Sequence, residues 1–256
     1  VQQPYHYAKK GFIRSVAGFG KDVYKLRFRE VLLRTKVLLG FKNDPLDVYD
    51  WVIDAVKDKR NKLTVFFLLG EHLKLRDGFN SRRKNFKWLI KFISDYTEVG
   101  LLFSNNALYD LEMLKEEKKQ MEENTHRDLK SSVNTNFLVQ LPDLYRHLLE
   151  QEIERDYSMV YEDTPGFRAG TCTPFLFYDL DYEIKTPLII HPVAFTTEGF
   201  NHKYESDSLQ RISNIFATVM KLNGTFTIFF RNEDFIEHKS NGIWRNLFSV
   251  KLHGSE

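Results

Sequence analysis

Apolar residues recur along the chain with two different periods. From Phe86 they fall at i, i+3, i+4 and i+7 (Phe86, Leu89, Ile90, Ile93), which marks one face of a helix. Asp22 to Leu39 repeats that spacing with Val23, Leu26, Val31, Leu32 and Leu38, and carries bases on the other side. Asp44-Pro45 marks a turn, after which Asp47 to Val56 reads as a second helix. A charged helix is expected from about Ala107 to Glu123, and another opens in "LPDLYRHLLEQEIERD", with Pro142 in its first turn. Leu209, Ile212, Ile215, Phe216 and Val219 give a helix starting near Ser206 and capped at Asn223-Gly224.

Between these lie short continuous apolar runs of strand length. "LTVFFLLG" (63–70) is the clearest, as expected for a strand buried on both faces. "VGLLFS" (99–104), "PLIIHPVAF" (187–195) and "TFTIFF" (225–230) resemble it, and "NTNFLVQ" (134–140) and "YSMVYE" (157–162) are further candidates. Strands and helices alternate five or six times after residue 60, which points to parallel pairing through crossover helices. The pattern fits an α/β open sheet and an α/β barrel equally well.

Composition narrows the class. The 256 residues are 42% hydrophobic and 14% aromatic, with 22 phenylalanines, 7 prolines and 13 glycines, so the chain folds around a large core. No internal repeat or low-complexity linker divides it, so one domain over 1–256 is expected, with a basic helical insertion at about 9–58. No apolar run of about 18 residues suggests a membrane span. No signal peptide is visible, and the chain opens at Val1 without methionine, so targeting and compartment, cytoplasmic or cell-envelope, stay open. Cys172 is the single cysteine, which excludes an intrachain disulfide and any zinc site built on several cysteines.

The net charge of +2 hides an asymmetry. Ten Lys/Arg between Lys9 and Lys42 stand against Asp22 and Glu30, giving that segment +8 and the remainder about −6. Such a segment suits an acidic glycan, a phospholipid surface or nucleic acid, but a solvated helix face packed on the core is the simpler reading.

Chemical motifs are sparse. There is no glycine-rich phosphate loop, nucleophile elbow or two-histidine zinc helix, and "GFG" (18–20) lacks the strand-then-helix context of a dinucleotide site. The eight histidines show no pair at metal-ligand spacing. His147 reads as a surface histidine, His191 as a histidine within an apolar strand, and Cys172 as a buried structural thiol. The strand "TFTIFF" ends on Arg231, Asn232 and Glu233, a polar tip where α/β enzymes place chemistry.

"YEDTPGFRAGTCTPFLFYDL" (161–180) is the most distinctive stretch. With "YAKKGFIRSVAG", "VFFLLGEH" and "GTFTIFFRNE", it resembles bacterial proteins related to the polysaccharide deacetylases, over essentially the whole chain. The resemblance implies a distorted (β/α) barrel with its site at the C-terminal strand ends. It also implies a divalent metal such as zinc on one aspartate and two histidines, an aspartate base and a histidine acid. Local matching puts Gln2 at an aspartate position, Leu102 at a metal histidine, Asn134 at an arginine and Asn136 at a histidine. Thr197 falls where an aspartate is usual and Arg231 where the acid histidine stands, while Arg168 is retained. Leucine cannot ligate, Asn and Gln amides are weak ligands, and a permanent guanidinium opposes a divalent cation.

The resemblance and these replacements lead to a polysaccharide-deacetylase-like protein without metal-dependent catalysis. It would need no cofactor, and would bind glycan or support a polysaccharide-processing partner, with Arg168, His191, Arg231, Asn232 and Glu233 as pocket candidates. No nucleic-acid partner is expected, while membrane-surface contact stays open. One alternative is an active carbohydrate deacetylase, completed by aspartates before Val1 or rebuilt on His191, Glu198, Glu233 or Asp234, with His238 as a more remote substitute. The other is an anionic-polymer or membrane-surface binder acting through residues 9–42.

Overall fold

A computed structural model describes residues 1, 4–5, 24, 28–57, 62–69, 84–201, 208–237 and 242–249. Its centre is a six-stranded sheet in the order β1-β2-β3-β4-β6-β5. The strands are β1 (Thr64–Phe67), β2 (Glu98–Phe103), β3 (Ser131–Asn134), β4 (Arg155–Asp156), β5 (Phe175–Asp179) and β6 (Ile184–Ile190). All neighbours are parallel except β5 and β6, which form an antiparallel pair with an irregular register between Leu176 and Tyr178. A second, two-stranded parallel sheet joins β7 (Phe195–Thr196) to β8 (Ile228–Phe229). The protein is therefore mixed α/β with a mostly parallel sheet, and the described six-stranded sheet is not closed into a barrel.

Helices α1 (Phe28–Leu38) and α2 (Tyr49–Val56) precede β1; α3 (Lys84–Ser94), α4 (Leu111–Thr125), α5 (Asp143–Glu150), α6 (Thr197–Asn201) and α7 (Ser208–Lys221) fill crossovers; and α8 (Gly242–Ser249) follows β8. None of the described helices is long and apolar enough to cross a membrane. The apolar stripe of α3 is buried as its period requires, with Phe86 wholly covered and its ring edge-on to Phe67 of β1 at 5.8 Å. α4 begins later than its charge pattern suggests because Asp110 caps it, its side chain accepting the Met113 N–H. His126 closes the helix in the left-handed conformation, at φ 54°. In α7, Ile212 and Val219 are buried as expected, but Leu209 is exposed.

β3 and β4 sit earlier than expected. Of the expected strands 134–140 and 157–162 only Asn134 is in a strand, and the ladder residues are Ser131–Asn134 and Arg155–Asp156. Apolar alternation fails here because these strands bury polar side chains in pairs. Ser132 Oγ donates to Asp156 Oδ1 at 3.1 Å, Ser158 Oγ accepts the Asn134 N–H at 2.9 Å, and Ser131 Oγ donates to Glu98. Most of this burial cost is met by hydrogen bonds, so polar residues occupy the middle of the sheet. β5 carries no strand assignment from the sequence, and it lies within the motif at 161–180.

Gly100 in β2 marks a close approach. A Cβ there would run into the Phe66 ring, which lies over the strand on its way to Tyr157 and Phe229. Cys172 is buried, as expected of a structural thiol, and His147 is half-buried rather than fully solvated. Tyr5 is buried, while residues 9–23 and 25–27 of the basic segment, with "GFG" and the residues 6–8 before it, lie outside the described residues. So do "GEH" of the first strand motif, Gln2 and His238.

Candidate functional site

A cavity of about 790 Å³ opens between β1 and β8 and runs inward beneath the strand ends. Its inner wall is aromatic: Phe66, Phe137, Tyr157 and Phe229 all line it. Phe229 is the hinge of this group, 6.3 Å from the Phe66 ring in a stacked arrangement and 5.1 Å from Phe137 edge-on. His191, Arg231, Asn232 and Glu233 reach the same cavity, as does Leu102. The structure thus brings together four of the five pocket candidates. The fifth, Arg168, does not line the cavity. Its Nη1 donates to the Phe137 carbonyl at 2.8 Å and so holds the loop that carries the Phe137 ring.

His191 follows β6 directly, and its ring lies flat on Tyr157, 4.6 Å between centroids at 15°. Burial lowers its pKa, with the Arg155 charge adding to the effect, so the imidazole is held toward its neutral form. The phenol of Tyr157 is moved upward, chiefly by burial.

At the tip of β8, polar groups are joined to one another. The Arg231 N–H donates to Asp234 Oδ2 at 2.7 Å, and Thr197 Oγ1 donates to the same oxygen at 2.6 Å. Asp234 closes a 3-10 turn (Asn232–Phe235) in this way, while the Arg231 guanidinium pairs with Glu198 of α6. Burial raises the Asp234 pKa, and hydrogen bonds from Thr197 and Arg231 oppose that rise. Thr197 and Arg231, expected at two catalytic positions, therefore meet through Asp234. The sequence names Glu198 and Asp234 only as members of a rebuilt site, because a contact between positions 37 apart leaves no local mark.

The asparagine pair is structural. Asn134 is wholly buried, and its Oδ1 accepts the N–H groups of Asn136 and Leu138 at 2.9 and 3.0 Å, an asparagine turn that swings Phe137 to φ 56°. Asn134 Nδ2 is buried without a hydrogen-bond partner, and Asn136 is exposed. This donor set does not fit a divalent metal: Leu102 offers no donor, and the Asn134 carbonyl is engaged by two backbone groups. Among the described residues, no three His, Cys, Asp or Glu side chains converge as a metal-binding group.

In comparisons with known proteins, no family model matches the chain and no curated protein matches it.

Proposed function

We propose that the chain is a polysaccharide-deacetylase-like protein with a distorted (β/α) barrel, which binds carbohydrate in the cavity and does not use metal-dependent catalysis. The barrel reading is supported by the run from β6 into β7, which carries one extended segment from the larger sheet to the smaller. Along it the Val193 N–H donates to Met159, Gly166 donates to the Ala194 carbonyl, and Ala194 donates to Thr227 at 2.8 Å. On this reading the wall would run β1-β2-β3-β4-β6/β7-β8 and close toward β1.

The single observation that carries the functional reading is the knot of Arg231, Glu198, Asp234 and Thr197, of which Arg231 lines the cavity. Groups bonded to each other in this way organise a tip rather than wait for a metal or a proton. Beside them, the aromatic wall offers flat apolar faces for sugar rings, and Asn232 and Glu233 offer hydroxyl partners, the mixture expected of a small-molecule cleft.

Calorimetric titration with acetylated chito- and xylo-oligosaccharides, before and after loading with Zn, Co, Ni or Mn, tests the reading. Saturable binding that is the same with and without metal is expected. Stoichiometric metal uptake accompanied by ester or amide hydrolysis would overturn it. One observation favours a second reading, a rebuilt hydrolase: His191 is held toward its neutral form on the same cavity as Glu233. That reading requires Glu233→Gln and His191→Ala each to lower a measurable turnover.

A further inference from the structure

α1 turns its apolar stripe outward. At about 100° per residue, Tyr24, Phe28, Leu32 and Leu39 fall within an arc of about 80°, and Val37, which is buried, lies on the opposite side. Leu32 and Leu38, which the sequence places on the packing side of this helix, are exposed. Exposure is high along the stripe: 88% at Tyr24, 62% at Phe28 and Leu32, and 64% at Leu39. Thr35, within the same arc, turns its hydroxyl back to the Val31 carbonyl at 2.8 Å and leaves the row apolar. Single exposed hydrophobes are ordinary on a protein surface, but a contiguous row of large ones marks a contact surface.

The end of the helix adds another such group. Gly40, at φ 78°, closes α1 with the paired hydrogen bonds of a Schellman cap. Its N–H donates to the Val37 carbonyl at 3.1 Å, and the Phe41 N–H donates to the Lys36 carbonyl at 2.8 Å. In that cap the residue at the place of Phe41 ordinarily packs on an apolar residue at the place of Lys36. Here that place holds a lysine, and the Phe41 ring is 80% exposed. The backbone fixes where Phe41 goes, and the sequence leaves it uncovered.

Bases accompany the row. Lys36 and Lys42 are exposed, and Arg34 is half-buried. Over 28–42 the sequence carries four bases (Arg29, Arg34, Lys36, Lys42) against Glu30, a net +3, and 9–27 adds six Lys/Arg against Asp22. The exposed acids Asp47, Asp50 and Asp54 come only after the Gly40 turn, on α2 and its approach.

We infer that the outer face of α1, from Tyr24 to Phe41, is a docking surface for a membrane of anionic phospholipid, on which the helix lies flat. The chemistry of the face selects this occupant. Leucines in the middle of the row, aromatic rings at both ends and lysines beside them match the boundary between acyl chains and headgroups. The bases answer the negative charge of the phosphates. A convex row of side chains suits a surface that yields around it, where a folded partner would have to supply a groove. α1 has 11 residues, about 17 Å, so it rests on the membrane and does not cross it. None of these side chains lines the cavity, so the inference is independent of what the cavity binds.

Co-sedimentation of the whole chain with vesicles tests it. Phosphatidylcholine vesicles containing about one third phosphatidylglycerol are compared with phosphatidylcholine alone. Partition into the anionic vesicles should be about tenfold greater or more, and should fall steeply between ~0.1 and ~0.5 M salt. Combining Phe28→Ser, Leu32→Ser and Phe41→Ser should lower it about tenfold or more, and so should Lys36→Glu with Lys42→Glu. All five positions are exposed, so both variants should keep the circular dichroism of the parent. Trp88→Ser, an exposed aromatic of α3, should leave partition unchanged. No partition into anionic vesicles at low salt would overturn the inference, and so would partition that the apolar triple variant leaves as it was. Equal binding to soluble dextran sulfate, indifferent to the apolar triple, would also overturn it and assign the segment to polyanions. Self-association that the apolar triple abolishes, without vesicle binding, would overturn it and assign the face to a second copy.

Discussion

Asp156 supplies the sharpest test of how the sheet is balanced. Its side chain is wholly buried at the end of β4, and three hydrogen bonds from Ser132 and Ser158 reach its two oxygens. Burial nevertheless outweighs them and raises the carboxyl pKa from 3.8 to about 6. The folded state thus holds a proton that the unfolded chain releases, and stability falls with rising pH between those values. The stabilisation is complete below the unfolded pKa and is lost as pH rises through the folded one. The difference of about two units corresponds to roughly 3 kcal/mol lost by pH 8. Asp156→Asn removes the titration while keeping the shape. Urea unfolding of both proteins at pH 4, 6 and 8 should show the variant gaining on the parent by ~2–3 kcal/mol across the range, most of it between pH 4 and 6.5. Parallel pH profiles for the two proteins would mean that the serine donors hold the carboxylate ionised, and the argument that desolvation wins would be wrong.

Two further substitutions probe the surroundings of the cavity. Gly100→Ala should cost about 1–3 kcal/mol, because the Phe66 ring must leave its place over β2. Thermal unfolding reads that loss, and the carbohydrate-binding proposal requires a shift in glycan affinity to accompany it. Arg168→Ala should cost about 1 kcal/mol or less in global stability, since one hydrogen bond at a partly exposed site is lost. It should nevertheless speed exchange at the Leu138 amide, and the carbohydrate-binding proposal requires weaker glycan binding through a freer Phe137 ring.

What the sequence discloses and what it hides follow from how each element is stabilised. β1 and α3 are legible because their burial is apolar: the Phe66-Phe67 run and the Phe86, Leu89, Ile90, Ile93 stripe carry their own periods. β3 and β4 are hidden because Ser132 is buried against Asp156 and the Asn134 backbone against Ser158, across strands, and polar residues in sequence look like a loop. The candidate site divides the same way. The polar tip Arg231 to Glu233 is visible where an apolar run stops. The partnership of Thr197 with Asp234 and the turn that aims Phe137 come only from the folded backbone.

The tip of β8 has one consequence for how the protein changes over time. Asp234 grips residue 231 by its backbone N–H, and the side chain at 231 reaches elsewhere, to Glu198. Position and chemistry are therefore separately specified. Any residue other than proline placed at 231 would be delivered to the same point on the cavity rim, and one substitution there exchanges the group on offer without rebuilding the strand end. A scaffold wired in this manner can exchange the side chain at 231 while Asp234 still holds the backbone of the strand end.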